Sequence, residues 1–329
     1  MSSVTVNATA TSTKAKVRGL GAKDLAVGKN TLPIRVIAED GSEKIYNVNV
    51  TRKAGATSLK NEIIKNTAII ANPTLTTSSN NTSDASGLYK STDTNTGEPT
   101  YYFRGNVTNN YVKFAGFTWR IVRINEDGTI RIVMQDGINN NARYAFNSNY
   151  NNYTYMYYTN SQAKTTLESW YQTNIGNKSD LAKNVVSGAY YCEQAKAKYD
   201  DSFTSGSAVM TTYNKYTPDF KCSSDGNGKG LVNASVGLLT YDEVVYAGGY
   251  LSKSNSNYYL YNNTEFWTMS PAGFWGSRSS SYVWSVSTSG NINLFIVNDT
   301  SAVRPVIILN ADTQISDGDG TKENPFIVE

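Results

Sequence analysis

The carboxyl-terminal stretch, residues 266–329, constrains the fold most strongly. Two runs of alternating residues, 281–288 and 291–297, flank Ser289 and Gly290. This pattern predicts a β-hairpin with a tight turn. A near-continuous apolar run follows at 303–309, and such a run is typical of a strand that is buried on both faces. We therefore expect a small sheet that ends in a buried returning strand.

Aromatic, arginine and asparagine side chains are concentrated around this predicted hairpin. Such side chains are enriched in recognition surfaces, because they offer large contact area and adaptable hydrogen bonding. We interpret them as a ligand-binding face near the carboxyl terminus. Its predicted members are Phe274, Trp275, Arg278, Tyr282, Asn291, Asn293, Phe295 and Asn298. We assign Trp119, Trp267 and Trp284 to the core instead, since each lies in an apolar alternating run.

Composition excludes several classes of function. The chain of 329 residues contains no histidine, which excludes a triad with a histidine base and zinc sites with histidine ligands. Its net charge of +3 gives no basic stripe for nucleic acid. No apolar run reaches the ~20 residues of a membrane helix. The segment after Met1 lacks the pattern of a signal peptide, and we interpret the chain as a fragment of a longer secreted protein.

Hydrophobic periodicity predicts the remaining elements. Helical spacing predicts helices within 58–71, 163–175 and 236–250, with Thr240 and Glu243 as a capping box for the last of these. A further short helix is predicted within 181–191. Alternation predicts strands at 111–114, 119–124 and 129–134. The turn at 125–128 is predicted to join the last two of these strands. The acidic pair in that turn suggests either a plain turn or a calcium site; we favour the turn, because a loop of this length offers too few oxygen ligands.

Two polar segments leave alternatives open. Residues 136–162 are rich in tyrosine and asparagine and lack a clear period; they form either a solvated loop or a second wall of the binding face. Cys192 and Cys222 are 30 positions apart. In an oxidising compartment they would form a disulfide, and the alternative is a pair of buried thiols.

A family resemblance covers the first part of the chain. Residues 25–52 read LAVGKNTLPIRVIAEDGSEKIYNVNVTR, in which strand-like runs at 32–38 and 45–50 flank a predicted hairpin turn at 39–42. This string resembles the last strands of the bacterial cadherin-like β-sandwich domain. The positions that match the family pattern are Leu25, Val27, Gly28, Asn30, Asp40, Gly41 and Tyr46. The resemblance implies a stalk or spacer on a cell surface. It also implies a truncated sandwich, whose exposed edge pairs with another strand or stays disordered.

A second resemblance covers residues 87–329. The motifs that carry it are FTWRIVRINEDGTIRIV, GLLTYDEVVYAGG, FWTMSP, VRPVI and DGTKENPFIV. They resemble the formylglycine-generating-enzyme branch of the C-type lectin fold, as found in bacterial pilin-like surface proteins and in variable proteins of diversity-generating retroelements. The branch's enzymes use a cysteine pair in the carboxyl-terminal part, whereas no cysteine follows Cys222 here. Oxidase chemistry is therefore unsupported. The spacing of the acids Glu168, Asp242 and Glu243 fits helix capping and solvated faces better than a catalytic pair, so we expect no enzymatic activity.

Together these observations predict an α+β chain with three parts. A partial, all-β cadherin-like sandwich occupies residues 1–53, a linker with a short helix occupies 54–86, and a C-type lectin fold with two helices and small antiparallel sheets occupies 87–329. The expected function is ligand binding or adhesion by a bacterial surface protein in the extracellular space. The expected partner is a surface protein or a glycan of a host or neighbouring cell. The alternative is a structural subunit or tip of a surface filament or pilus.

No cofactor is expected. The dipeptides at 98–99 and 298–299 are similar to fragments of the calcium motifs of vertebrate C-type lectins. Neither stands in the full context of that motif, so calcium is kept only as a weaker alternative.

Overall fold

The computed structural model describes residues 3–52, 55–71, 85–193, 209–210, 218, 220–222, 231–251, 253–275 and 279–328, without the side chains of 209, 210 and 275. The chain divides into two compact units, Met1–Thr57 and Ser58–Glu329. Strands greatly outnumber helices in the described residues, and the architecture mixes α and β elements. None of the described helices is long and apolar enough to span a membrane.

The first unit is all β in its described residues. Its strands are β1 (Ser3–Val6), β2 (Lys16–Arg18), β3 (Gly21–Asp24), β4 (Gly28–Ile37) and β5 (Glu43–Arg52). β4 and β5 form a long hairpin with unbroken antiparallel register, while β1 pairs with β3 and β2 with β4. Gly41 turns the hairpin with φ of 82°, and the Asp40 carboxylate accepts hydrogen bonds from Ser42. The predicted hairpin turn is confirmed.

The second unit holds most of the regular structure. Its strands, with β6 at its start, are β6 (Thr57–Ser58), β7 (Ile69–Ala71), β8 (Gly87–Ser91), β9 (Thr100–Arg104), β10 (Tyr111–Phe114), β11 (Phe117–Ile124), β12 (Ile130–Met134), β13 (Arg143–Ala145), β14 (Ala189–Cys192), β15 (Val209–Met210), β16 (Leu231–Ala234), β17 (Phe266–Trp275), β18 (Ser280–Val286), β19 (Ile292–Ile296), β20 (Thr300–Ala302), β21 (Val306–Leu309), β22 (Gln314–Asp317) and β23 (Phe326–Val328). Its helices are α1 (Leu59–Lys65), α2 (Ile138–Asn141), α3 (Gln162–Tyr171), α4 (Ser179–Ala182) and α5 (Tyr241–Ala247).

Three sheets organise the described residues of this unit. The largest runs β22-β23-β10-β11-β9-β8-β7, and β12 branches from β11 to pair with β21. The second runs β13-β20-β17-β18-β19, with β15 beside β17, and the third contains β14 and β16. β21 is the apolar run near the carboxyl terminus, and all four of its residues are buried. The prediction of a buried returning strand is therefore confirmed. The predicted hairpin is also confirmed: β18 and β19 pair in antiparallel register, and Gly290 in the turn has φ of 78°.

A large hydrophobic core fills the described part of the second unit, and Tyr89, Tyr102 and Tyr246 form a second, smaller cluster. Trp119, Trp267 and Trp284, which were assigned to the core from sequence, are at most 5% exposed. Arg304 is also buried, and its guanidinium donates to the carbonyl oxygens of Met134 and Leu260. This arginine therefore ties β12 to the segment before β17.

The structure corrects the predicted position of the first helix. α1 ends at Lys65 and is followed by strand β7, so it is shorter than predicted. Leu59 and Ile63 belong to the core of the second unit. The helix predicted within a linker at 54–86 is thus part of the compact unit, which begins at Ser58. Residues 72–84 lie outside the described residues.

The other helix predictions hold in part. α3 continues into a π-helical turn, Gln172–Gly176, so the helical segment includes the predicted range of 163–175. α5 begins after Thr240, later than predicted, because residues 236–239 are not helical and Gly237 forms a β-bridge with Val306. The predicted capping box between Thr240 and Glu243 is present, and Gly248 ends the helix with φ of 121°. The helix predicted within 181–191 is wrong: α4 ends at Ala182, and β14 occupies the end of this segment.

The tyrosine- and asparagine-rich segment is ordered by local turns. Asn139, Asn140 and Asn141 all have positive φ, between 50° and 62°. Asparagine tolerates this left-handed conformation better than most residues do. The Asn141 side chain accepts a hydrogen bond from the Gly137 backbone N–H. This turn places β13 beside β20.

Candidate ligand-binding cleft

The structure does not present the predicted face as one surface. Phe274 is 7% exposed and Asn291 is 8% exposed. The Asn291 carboxamide oxygen accepts hydrogen bonds from Ser287 and Ser289, so this side chain holds the hairpin turn. The prediction that Phe274 and Asn291 contact a ligand is therefore corrected, because burial leaves neither side chain available at the surface.

The remaining predicted members divide between two faces of one hairpin. Asn293 and Phe295 stand opposite Ser285 and Val283, whereas Tyr282 belongs to the alternate set of β18. Because successive side chains of a strand point to opposite faces, Tyr282 does not share a face with them. Phe295 is half-buried against the Trp267 ring, 6.2 Å between centroids.

Three predicted members require separate mention. Asn298 is exposed beyond the end of β19. Trp275 is the last residue of β17, but its side chain lies outside the described residues, as does the whole of Arg278. Their predicted contacts with a ligand stay predictions.

Part of the tyrosine- and asparagine-rich segment packs against this hairpin. The Ser281 backbone N–H donates to the Tyr150 carbonyl oxygen over 2.8 Å, and its hydroxyl donates to the Asn152 carbonyl oxygen. Tyr150 and Tyr153 remain 41% exposed. The segment thus borders the hairpin, as the interpretation of a second wall requires, although the hairpin itself does not form the first wall as predicted.

A cleft of about 570 Å³ lies elsewhere on the second unit. It is bordered by the loop at 95–98, the turn between β11 and β12, strand β14, the start of α5 and residues 220–222. Sites for small ligands and for partner side chains typically have this volume and combine apolar walls with a few polar groups. The cleft is therefore the better candidate for a contact site.

A buried ion-pair cluster forms the floor of the cleft. The Glu243 Oε1 atom lies 2.6 Å from Arg131 Nε and 3.4 Å from Arg123 Nε. Arg131 and Glu243 are only 2% and 3% exposed at their side chains. Burial lowers the pKa of Arg123, while the neighbouring Glu243 opposes that shift. Because each charge has a partner, the cluster fixes β11, β12 and α5 relative to one another.

The start of α5 is held by a second set of contacts from the same glutamate. The Glu243 Oε2 atom accepts a hydrogen bond from the Thr240 backbone N–H over 3.0 Å, and the Glu243 N–H donates to the Thr240 hydroxyl. Glu243 therefore caps the helix with one oxygen and binds two arginines with the other. Asp242, which is buried beside it, also lines the cleft.

Aromatic rings and a disulfide complete the walls. The Phe220 ring stacks on Tyr246, with centroids 4.0 Å apart, and the Arg123 guanidinium lies 4.9 Å from the Phe220 ring centre. Tyr190 is 64% exposed at the rim. Cys192 and Cys222 form a disulfide, which confirms that prediction. Closing a loop of 30 residues stabilises the fold by about 3–4 kcal/mol through the lower entropy of the unfolded chain.

Comparison with known proteins identifies the first unit. The family model of the cadherin-like beta sandwich domain matches residues 1–53. Residues 1–53 are thus similar to this family, and the predicted resemblance of the segment is confirmed. No curated protein and no solved structure gives a match to the chain, and the cadherin-like match does not extend to the cleft.

The cleft residues were not predicted as a site, although the sequence held a signal for them. Arg131 stands in a strand that is otherwise apolar, and Arg123 lies between Val122 and Ile124 in β11. Arginine is rarely buried without a partner, so arginines in such strands indicate an acid on a neighbouring element. The capping role predicted for Glu243 is correct, but the prediction lacks its second role as the partner of both arginines. That role depends on the packing of α5 against β11 and β12, which no local pattern specifies.

Proposed function

We propose that the second unit is an extracellular ligand-binding or adhesion module of a bacterial surface protein. The cadherin-like domain at 1–53 is then its stalk or spacer. One observation carries this proposal: a cleft of about 570 Å³ whose walls combine charged and aromatic side chains on a hydrogen-bonded scaffold. The disulfide between Cys192 and Cys222 supports an oxidising location.

The order of elements supports a C-type lectin type of fold for this unit. The helix α3 follows the strands β8 to β12, and α5 precedes the small sheet of β17 to β19. The chain then returns through β21 beside β12, and its last strand, β23, runs parallel to β10. A returning closing segment of this kind brings the carboxyl terminus next to the first strands of the unit.

We propose contact rather than catalysis for the cleft. The Glu243 carboxylate is engaged by Arg123, Arg131 and the Thr240 backbone N–H. A carboxylate that is held by these contacts stabilises the scaffold, whereas a general acid or base must exchange its proton with a substrate. The exposed rim, including Tyr190, supplies the contact area.

The test is an array of glycans and surface proteins probed with the full chain and with Tyr190→Ala. Tyr190 is 64% exposed, so its truncation leaves the core intact. Tyr153→Ala is the matched control, because Tyr153 is 41% exposed and does not line the cleft. We expect Tyr190→Ala to weaken binding about tenfold or more, as the loss of an interface aromatic often does, and Tyr153→Ala to leave it unchanged. The opposite pattern would move the contact site from the cleft to the border of the hairpin.

A second candidate function, a filament or pilus subunit, is favoured by the first unit. Among the described strands, β5 pairs only with β4, so its other edge is open. Ile45, Tyr46 and Val48 on this strand are 53%, 49% and 37% exposed. An open, apolar edge strand is a surface to which another strand can add. Concentration-dependent assembly that is abolished by Val48→Lys would favour this function over a monomeric adhesin.

A further inference from the structure

The disulfide between Cys192 and Cys222 joins two walls of the cleft. Both cysteines line the cleft, and each is partly exposed. Cys192 is the last residue of β14, which pairs with β16 in a two-stranded ribbon. Cys222 belongs to the segment 220–222, which forms another wall. The covalent bond therefore sets how far the ribbon and this segment stand apart.

Non-covalent contacts hold the segment 220–222 against the loop after β8 and against α5. The Phe220 N–H donates to the Asp93 carbonyl oxygen over 2.9 Å, and the Lys221 ammonium lies 2.7 Å from the Asp93 carboxylate. The Phe220 ring stacks on Tyr246 of α5, with centroids 4.0 Å apart. The loop and the helix thus position this wall of the cleft.

The ribbon is held by a different element, strand β21. The Val186 N–H, shortly before β14, donates to the Ile308 carbonyl oxygen over 2.8 Å. The Tyr191 hydroxyl donates to the Val306 carbonyl oxygen over 3.0 Å. Because the two walls rest on separate elements, the disulfide links them directly and restricts the separations that they can take up.

A low-molecular-weight thiol can reduce this bond from the cleft, since an exposed disulfide is more open to attack than a buried one. A thiolate of the reductant attacks one sulfur and forms a mixed disulfide, which releases the other cysteine as a thiolate. A second thiol completes the exchange. Two reductant thiols are then oxidised to a disulfide, and each cysteine sulfur of the protein has gained one electron and one proton.

We infer that the cleft is a redox-dependent contact site, which binds its partner when the disulfide is formed and loses affinity when a thiol reduces it. The inference rests on the proposed function and adds its regulation. With the bond formed, the ribbon and the segment 220–222 are held at one separation. After reduction they take up several separations, and the apparent affinity falls with the fraction that fits the partner.

Array binding of the full chain, measured before and after reduction with dithiothreitol in the absence of denaturant, tests this regulation. The probes are the glycans and surface proteins that the oxidised chain binds. We expect reduction to weaken binding about tenfold, which corresponds to a competent fraction of about one tenth. Alkylation with iodoacetamide followed by mass spectrometry measures the released thiols. Reoxidation should restore binding.

Cys192→Ser combined with Cys222→Ser tests the same dependence without a reductant. We expect this variant to bind as the reduced parent does, and dithiothreitol should not change its binding further. Leu59→Ala is the matched control for lost stability, because Leu59 is fully buried in α1 and does not line the cleft. Its truncation lowers stability to an extent comparable with the loss of a disulfide, yet the oxidised variant should bind as the parent does.

Hydrogen exchange gives a readout that needs no partner. Reduction should speed exchange in β14 and β16, which the disulfide joins to the segment 220–222. Exchange in β11 and β12 should stay as slow as in the oxidised chain, because these strands lie in the core of the unit.

Four results would contradict this redox dependence. They are no alkylated cysteine without denaturant, unchanged array binding after complete reduction, unchanged exchange in β14 and β16, and an equal loss of binding in Leu59→Ala, which would assign the effect to general stability. If any of these occurs while Tyr190→Ala still weakens array binding, the cleft remains the contact site and only its regulation is wrong. If Tyr190→Ala leaves array binding intact, the proposed function of the cleft fails as well.

Discussion

Strand β5 of the first unit is exposed along most of its length, whereas every residue of strand β12 in the second unit is buried. Both strands are rich in β-branched residues and both pair in antiparallel hairpins. The difference lies in their neighbours. β12 lies between β11 and β21, while β5 pairs with β4 alone among the described strands.

This comparison shows that a charged residue in a buried strand needs more interaction partners than one in an exposed strand. Arg52 at the end of β5 is only part-buried, and it needs one carbonyl oxygen, that of Leu25. Arg131 in β12 is 2% exposed and requires the Glu243 carboxylate, the Leu238 carbonyl oxygen and the Tyr191 ring. A buried charge is tolerated only when such partners replace water. The same burial that makes the second unit stable therefore creates the charged floor of the cleft.

The largest expected effect is a loss of stability caused by a cavity in the core around β11. Trp119→Ala should lower the free energy of unfolding of the second unit by about 3–5 kcal/mol, because it leaves a large cavity. It also removes the hydrogen bond from the indole N–H to the Phe114 carbonyl oxygen, 3.0 Å. Urea unfolding followed by circular dichroism measures the change. Tyr46→Ala in exposed β5 is the contrast, and a similar loss in both variants would refute the comparison.

The next effect concerns the ion-pair cluster. Glu243→Gln should destabilise the second unit by about 3 kcal/mol, because it leaves Arg131 buried without its charged partner. Glutamine retains an oxygen for the helix cap, so the loss reports on the charge. Glu39→Gln is the control in the first unit. Its pair with Lys14 has the similar length of 2.9 Å, but both side chains are more than 60% exposed, and we expect no measurable change. Equal effects of the two variants would show that burial does not set the strength of these pairs.

Local patterns predicted much of this fold. The turn residues Gly41, Gly128 and Gly290 have positive φ, and each was located by a polar segment between alternating runs. The capping box of α5 was visible as Thr240 followed three positions later by Glu243. These features depend on residues close in sequence, which is why the sequence alone specifies them.

The candidate site could not be predicted in the same way. Phenylalanine is a residue type that is common in contact surfaces, but in this fold the neighbouring residues bury Phe274. The cleft joins β11, β12, β14 and α5, and α5 begins more than a hundred positions after β12 ends. The pairing of Arg123 with Glu243 spans 120 positions. Composition thus identified the kinds of residues that recognise ligands, but only the tertiary packing decided which of them reach the surface.

A smaller effect tests the sparse core of the first unit. Among the described residues of that unit, the buried apolar side chains are Val6, Leu25 and Ile34. Ile34→Ala should cost about 2 kcal/mol, at the low end for such truncations, because a thin core collapses easily around a cavity. Hydrogen exchange should show faster exchange in β4 and β5 alone. Val27→Ala, at a position that is 59% exposed, should change nothing. Faster exchange in β12 as well would show that the two units unfold together.

The smallest effect concerns the pH dependence of the second unit. Burial raises the pKa of Glu193, although hydrogen bonds from the Thr159 N–H and hydroxyl oppose the shift. The folded state therefore binds a proton more tightly than the unfolded state does. Stability that comes from this proton is present below the ordinary pKa of glutamate and is lost as the pH rises through the higher folded pKa. The glutamine in Glu193→Gln does not ionise, so the free energy of unfolding of this variant lacks this dependence on pH.

The free energy of unfolding of the parent and of Glu193→Gln, measured by urea unfolding across the acidic range, checks this sign. We expect the parent to lose stability relative to the variant as the pH rises, by less than about 1 kcal/mol. A difference that runs the other way would mean that the hydrogen bonds from Thr159 outweigh the desolvation of the carboxylate. In that case hydrogen bonds would dominate the pKa of the buried Glu193 as they do for the exposed Asp40, whose pKa is lowered by its hydrogen bonds from Ser42.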